Sequence, residues 1–117
     1  MKGIQLVWIT VADLQASIDF YTQVIGFNLL ERNDHYGWAE LSSAEGIRLG
    51  LAQQNSHDGF KPGSNAVTTI TVDNLEQTLE NKNIQLIGDV LEIPGQVKMQ
   101  TFRDLDGNTF QFCQLLK

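Results

Sequence analysis

This sequence carries few side chains able to do chemistry, and they are scattered. Its two imidazoles, His35 and His57, stand in polar loop sequence without metal-ligand spacing. Solvation is the simpler reading for each, and folding over a cavity mouth is the functional one. The single thiol, Cys113, has no neighbouring base, cannot form an internal disulfide and reads as a small buried side chain. More telling are two indoles, Trp8 and Trp38, with Tyr36 close to the second, since aromatic faces stack on planar molecules as readily as they fill a core. Glu40 and Arg48 suit a cross-strand ion pair, and the same guanidinium suits an anionic ligand. Eight Lys and Arg lie singly in a chain of net charge −6, which leaves no basic stripe for nucleic acid.

These residues need elements to position them. Residues 4–11 are rich in β-branched and aromatic side chains and predict a strand with Val7, Ile9 and Val11 on its core face. Asp13 is a good N-cap, and Leu14, Ile18, Tyr21, Val24 and Ile25 recur at helical spacing up to Gly26. Strands are predicted over 27–31, 36–41 and 47–52. Residues 53–65 are polar, hold two Gly and a Pro, and read as a connector. A strand over 67–72 follows, then a short helix from the capping box of Asn74 and Gln77 to about Lys82, then strands over 86–90, 96–103 and 109–114.

The second half restates the first. Ile9, Thr10, Val11 and Leu14 return 61 residues later as Ile70, Thr71, Val72 and Leu75, and the turn pair Glu45, Gly46 returns as Asp106, Gly107. A duplicated βαβββ module follows, in one domain with modules over about 1–54 and 64–117 and a linker over about 55–63. The expected α+β fold is one curved eight-stranded mixed sheet around a concave cavity, with helices outside. Strand alternation then lists the inner face: Leu6, Trp8 and Thr10; Tyr36, Trp38 and Glu40; Arg48, Gly50 and Ala52; and, in the second module, Val67, Thr69, Met99, Thr101, Thr109 and Gln111. The anticipated pairs set Glu40 opposite Arg48, Trp38 opposite Gly50, Met99 opposite Gln111 and Thr101 opposite Thr109. No apolar run approaches the ~20 residues of a membrane helix. The start at Met1-Lys2 has no signal-peptide pattern, so a cytoplasmic address is expected.

Residues 7–27 (VWITVADLQASIDFYTQVIGF) and 103–112 (RDLDGNTFQF), set in this tandem pattern, resemble the vicinal oxygen chelate superfamily. That superfamily includes glyoxalase I, extradiol dioxygenases, fosfomycin resistance enzymes and bleomycin-binding resistance proteins. Leu105 stands where the family's acidic turn usually has Pro. The resemblance implies a divalent metal held by four inward side chains, and maps those positions onto Leu6, Gly50, Val67 and Gln111. Only Gln111 offers a donor, so neither a metal nor any other cofactor is expected. Two functions stay open. One is a metal-independent binding protein, of the bleomycin-resistance kind, that holds a planar or aromatic small molecule through Trp8, Tyr36, Trp38, Glu40, Arg48, Met99 and Gln111. The other is a glyoxalase-like lyase or isomerase, or a dioxygenase relative, with unusual site residues such as Glu40 acting as base. A homodimer is expected in either case.

Overall fold

The computed structural model describes residues 2, 4–56, 60–65, 67–80 and 82–116. His57 lies outside them. The chain divides into two units, Met1–Asn65 and Ala66–Lys117.

In the first unit, β1 (Leu6–Val11) runs into Asp13, whose extended backbone and Oδ1, accepting from Ala16 N at 3.0 Å, start α1 (Leu14–Asp19). The sequence predicted one α-helix as far as Gly26. Instead the last six residues, Phe20–Ile25, widen into a π-helix, and Thr22 Oγ1 donates back to Ile18 O in the last turn of α1. Gly26, at φ 99°, closes it, and Tyr21 O accepts from both Gly26 N and Phe27 N. Next come β2 (Asn28–Asn33), β3 (Trp38–Ser42) and β4 (Arg48–Gln53). The sheet order is β1-β4-β3-β2, with β1 parallel to β4 and the other pairs antiparallel.

The second unit repeats the plan with β5 (Thr68–Thr71), α2 (Leu75–Leu79), β6 (Gln85–Ile93), β7 (Val97–Arg103) and β8 (Thr109–Leu115), in the order β5-β8-β7-β6. Asn74 caps α2 as Asp13 caps α1, accepting from Gln77 N at 2.9 Å. The α+β class and the tandem βαβββ order are those expected. The eight strands hydrogen-bond as two four-stranded mixed sheets rather than in one continuous ladder.

The 61-residue repeat holds at the level of single pairs. Trp8 pairs with Gly50 and Thr69 with Gln111; Leu41 pairs with Leu49 and Phe102 with Phe110. Both antiparallel hairpins, however, sit two residues from the anticipated register: Glu40 faces Gly50, Trp38 faces Ala52, Thr101 faces Gln111 and Met99 faces Cys113. In the second hairpin the acidic turn sets the register, because residues 104–108 all stand outside the ladder. Asp104 Oδ1 accepts from the backbone of Asp106 and Asn108, and its Oδ2 accepts from Asn108 Nδ2, so the strands close directly at Arg103 and Thr109. A slip of two keeps every side chain on its expected face.

In the first unit the core face holds Ile9, Val11, Ala39, Leu41, Leu49 and Leu51, with α1 packed over β3 and β4. In the second it is a stack of Phe102, Phe110 and Phe112, with ring centroids 5.6 and 4.5 Å apart, and α2 lies on β7 and β8. Burying such side chains stabilises each unit by about 1.5–3 kcal/mol apiece. β6 runs longer than expected, from Gln85 to Ile93, with an irregularity between Ile87 and Leu91. The buried Gln100 amide donates to the carbonyls of Ile87 and Gly88 there, supplying partners that a regular ladder would have given.

Candidate functional site

In the first unit, the sheet face opposite the core carries the chemistry. Trp8 on β1 and Glu40 on β3 flank Gly50 on the central β4, one pairing from each side. Trp38 starts two residues along β3 and its indole leans back over Gly50. A Cβ built on Gly50 would lie 2.8 Å from Trp38 Cζ2, closer still to Cη2, and 2.9 Å from Trp8 Cβ. The absent side chain is therefore the floor on which the indole rests. Trp38 Nε1 donates to Glu40 Oε1 at 3.3 Å, and Arg48 Nη1 donates to Glu40 Oε2 at 2.9 Å. Glu40 is 8% exposed, so its charge is held by one guanidinium and one indole. The expected ion pair thus forms diagonally rather than directly across the strands. About half of the Arg48 side chain stays in contact with solvent.

Trp8 is 41% exposed and meets Trp38 edge-on, with centroids 6.4 Å apart and planes at 66°. A third ring joins them: Phe60 lies 5.3 Å from Trp8 at 83°. Phe60 is not singled out by sequence pattern, because residues 53–65 read as a connector. Its signal was there, as the only large apolar side chain in that polar stretch. Tyr36 does not join the group. It falls in the turn before β3, where Asn33 Oδ1 accepts from its backbone N–H and Gly37 adopts φ 63°. The hairpin ends before it, and Tyr36 stands exposed with its ring edge-on to His35.

The equivalent face of the second unit is polar. Thr69 Oγ1 donates to Gln111 Oε1 at 3.4 Å, and Gln111 Nε2 donates to Thr101 Oγ1 at 3.3 Å. Met99 faces Cys113, which is buried. Val67, expected as the first inward residue of its strand, precedes β5 and is 55% exposed.

The family's metal-ligand positions do not suit a divalent ion. Leu6, Gly50 and Val67 bring no side-chain nitrogen or oxygen, and Gln111 Oε1 already accepts from Thr69. Among the described residues, no three His, Cys, Asp or Glu are gathered where they could hold a metal, and no buried side-chain polar atom lacks a partner.

A second pair of side chains, also missed in the sequence, fixes each sheet to its helix. Gln53 Oε1, at the end of β4, accepts from Leu14 N at 2.8 Å; Gln114 Oε1, at the end of β8, accepts from Leu75 N at 2.7 Å. Each satisfies a first-turn N–H that the helix itself leaves open.

A tandem βαβββ chain with one aromatic and one polar sheet face defines a class of small two-module α+β proteins. Residues 3–112 match the Glyoxalase/Bleomycin resistance protein/Dioxygenase superfamily, to which the chain belongs. A search of curated protein sequences gives no match. Several solved structures share the fold. TnmS3, an antibiotic binding protein from Streptomyces sp. CB03234, superposes with TM-score 0.81 at 23% identity, over 98% of this chain and 97% of that one. A superfamily member from Sphaerobacter thermophilus DSM 20745 gives 0.82 at 19%, over 97% and 98%. TioX from Micromonospora sp. ML1 gives 0.78 at 17%, over 97% and 99%. No helix among the described residues is long and apolar enough to cross a membrane.

Proposed function

We propose that the protein binds a planar small molecule, without a metal, on the aromatic face of its first module. The observation that carries this reading is Trp8, a large ring left 41% exposed while edge-on to two other rings, Trp38 and Phe60. An indole needed only for packing is usually covered further. Arg48 supports the reading as a donor to an oxygen on the ligand, because Glu40 holds its Nη1 and so orients the rest of the guanidinium. The antibiotic-binding relative lends support by analogy of fold. The enzymatic alternative, with Glu40 as base, is weaker, since that carboxylate is 8% exposed and each of its oxygens already accepts a hydrogen bond. A cytoplasmic homodimer completes the picture. Exposed Leu29 and Leu30 on β2, and Leu91 and Ile93 on β6, support self-association.

Titration of tryptophan fluorescence with 2-naphthoate, quinoline and 2-naphthol, beside the saturated decalin-2-carboxylate, tests the reading. At least one planar probe should bind saturably and the saturated one should not. Stacking of about 1–3 kcal/mol per planar contact predicts that Trp8→Ala weakens binding by roughly 5-fold to 150-fold. If no planar probe shifts the fluorescence, the proposal fails.

A further inference from the structure

We infer that Gly50 is the specificity-determining position of the first module, because one volume on β4 holds either a side chain at residue 50 or the Trp38 indole, never both. The inference rests on the binding proposal only where ligand affinity is read. Three contacts hold the indole: the bare backbone of Gly50 beneath it, Glu40 Oε1 at its N–H, and Trp8 at its edge. Trp38 pairs with Ala52 on β4, so its ring reaches Gly50 only by leaning two residues along the strand. Even a methyl at position 50 occupies the space of Trp38 Cζ2 and Cη2, at the far end of that side chain. The ring must then rotate away, and it loses Glu40 and Trp8 together. A longer donor-bearing side chain, of the kind the superfamily places there, displaces it further. The missing metal donor and the aromatic face are thus one feature, and residue 50 decides whether this face takes flat apolar rings.

The test is a double-mutant cycle of Gly50→Ala and Trp38→Ala, read by thermal unfolding, by the near-ultraviolet circular dichroism of the indoles and by 2-naphthoate affinity. Gly50→Ala alone should lower Tm, erase the tryptophan band arising from the Trp8 edge contact and weaken 2-naphthoate at least 5-fold. With Trp38 already Ala, the share of the Tm loss that comes from the indole should vanish, leaving the share from the 2.9 Å approach to Trp8 Cβ. Equal losses in both backgrounds overturn the inference, as does an unchanged tryptophan band in Gly50→Ala. If Gly50→Ala does not fold, a folded double variant upholds the inference. A double variant that fails to fold where Trp38→Ala folds refutes it. If 2-naphthoate binds normally to a Gly50→Ala protein with undisturbed indoles, the inference falls while the binding proposal stands. If no planar probe binds the native protein, the binding proposal falls and the cycle still judges Gly50.

Discussion

The two modules share a backbone plan but put their aromatic rings on opposite faces of the sheet. In the first, the core face is aliphatic, with Leu41, Leu49 and Leu51, while Trp8 and Trp38 stand on the other face. In the second, the equivalent core positions are Phe102, Phe110 and Phe112, and the other face is Thr69, Thr101 and Gln111. Helix length accounts for the core side of this exchange. The first module's helical segment runs from Leu14 to Ile25 and brings Phe20 and Tyr21 to the core, whereas α2 has five residues and one buried side chain, Leu75. The phenylalanines supply bulk that the shorter helix lacks. A core must be filled to close-packed density, but which element fills it is open.

The largest expected effect tests that account of bulk. Phe102→Ala should cost about 3–5 kcal/mol in chemical denaturation, and Leu41→Ala at the equivalent position about 2–5 kcal/mol, with the phenylalanine the costlier. A Leu41→Ala loss that exceeds the Phe102→Ala loss would mean the helix, not the sheet, dominates the second core. A middle-sized effect checks the equivalence of the modules. Gln53→Ala and Gln114→Ala should each cost about 1–3 kcal/mol, since each leaves a helix N–H without its acceptor. Costs that differ by more than about 1 kcal/mol would break the symmetry that the paired bonds imply.

The smallest effect belongs to the second module alone. On its exposed surface Lys98 Nζ lies 3.0 Å from Glu76 Oε1. The hydrogen bond to Lys98 lowers the Glu76 pKa, and the same bond raises that of Lys98. The pair's contribution is present between the two titrations. It is lost as pH falls through the lowered Glu76 value and as pH rises through the raised Lys98 value. Lys98→Met should lower Tm only slightly at neutral pH, and added salt should abolish the difference. A salt-independent loss would point to packing of the lysine stem instead.

Periodicity and repetition carried most of this fold in the sequence. Asp13 and Asn74 announced their helices because a cap is a local interaction, and alternation put Trp8, Trp38, Glu40 and Arg48 on one face. What escaped depends on contacts that local sequence does not encode. The second hairpin's two-residue register slip turns on how Asp104 gathers the turn's N–H groups. Tyr36 read as strand by propensity but lost its place to the Asn33 and Gly37 turn. Phe60 reaches Trp8 across more than fifty positions of chain, a distance at which composition is silent.

The glutamine tethers also bear on the order in which the chain gains structure. Leu14 takes its acceptor from a residue 39 positions later, and Leu75 does the same. Likewise β1 has no partner in its sheet until β4, the last strand of its module, lies beside it. A nascent module can therefore form its β3-β4 hairpin early, but its first strand and helix wait for the far end to arrive. Each module is a loop that locks at its ends, which makes it a natural cooperative unit for hydrogen exchange. In such an experiment the amides of Leu14 and of β4 should exchange together, at the rate at which the whole module opens.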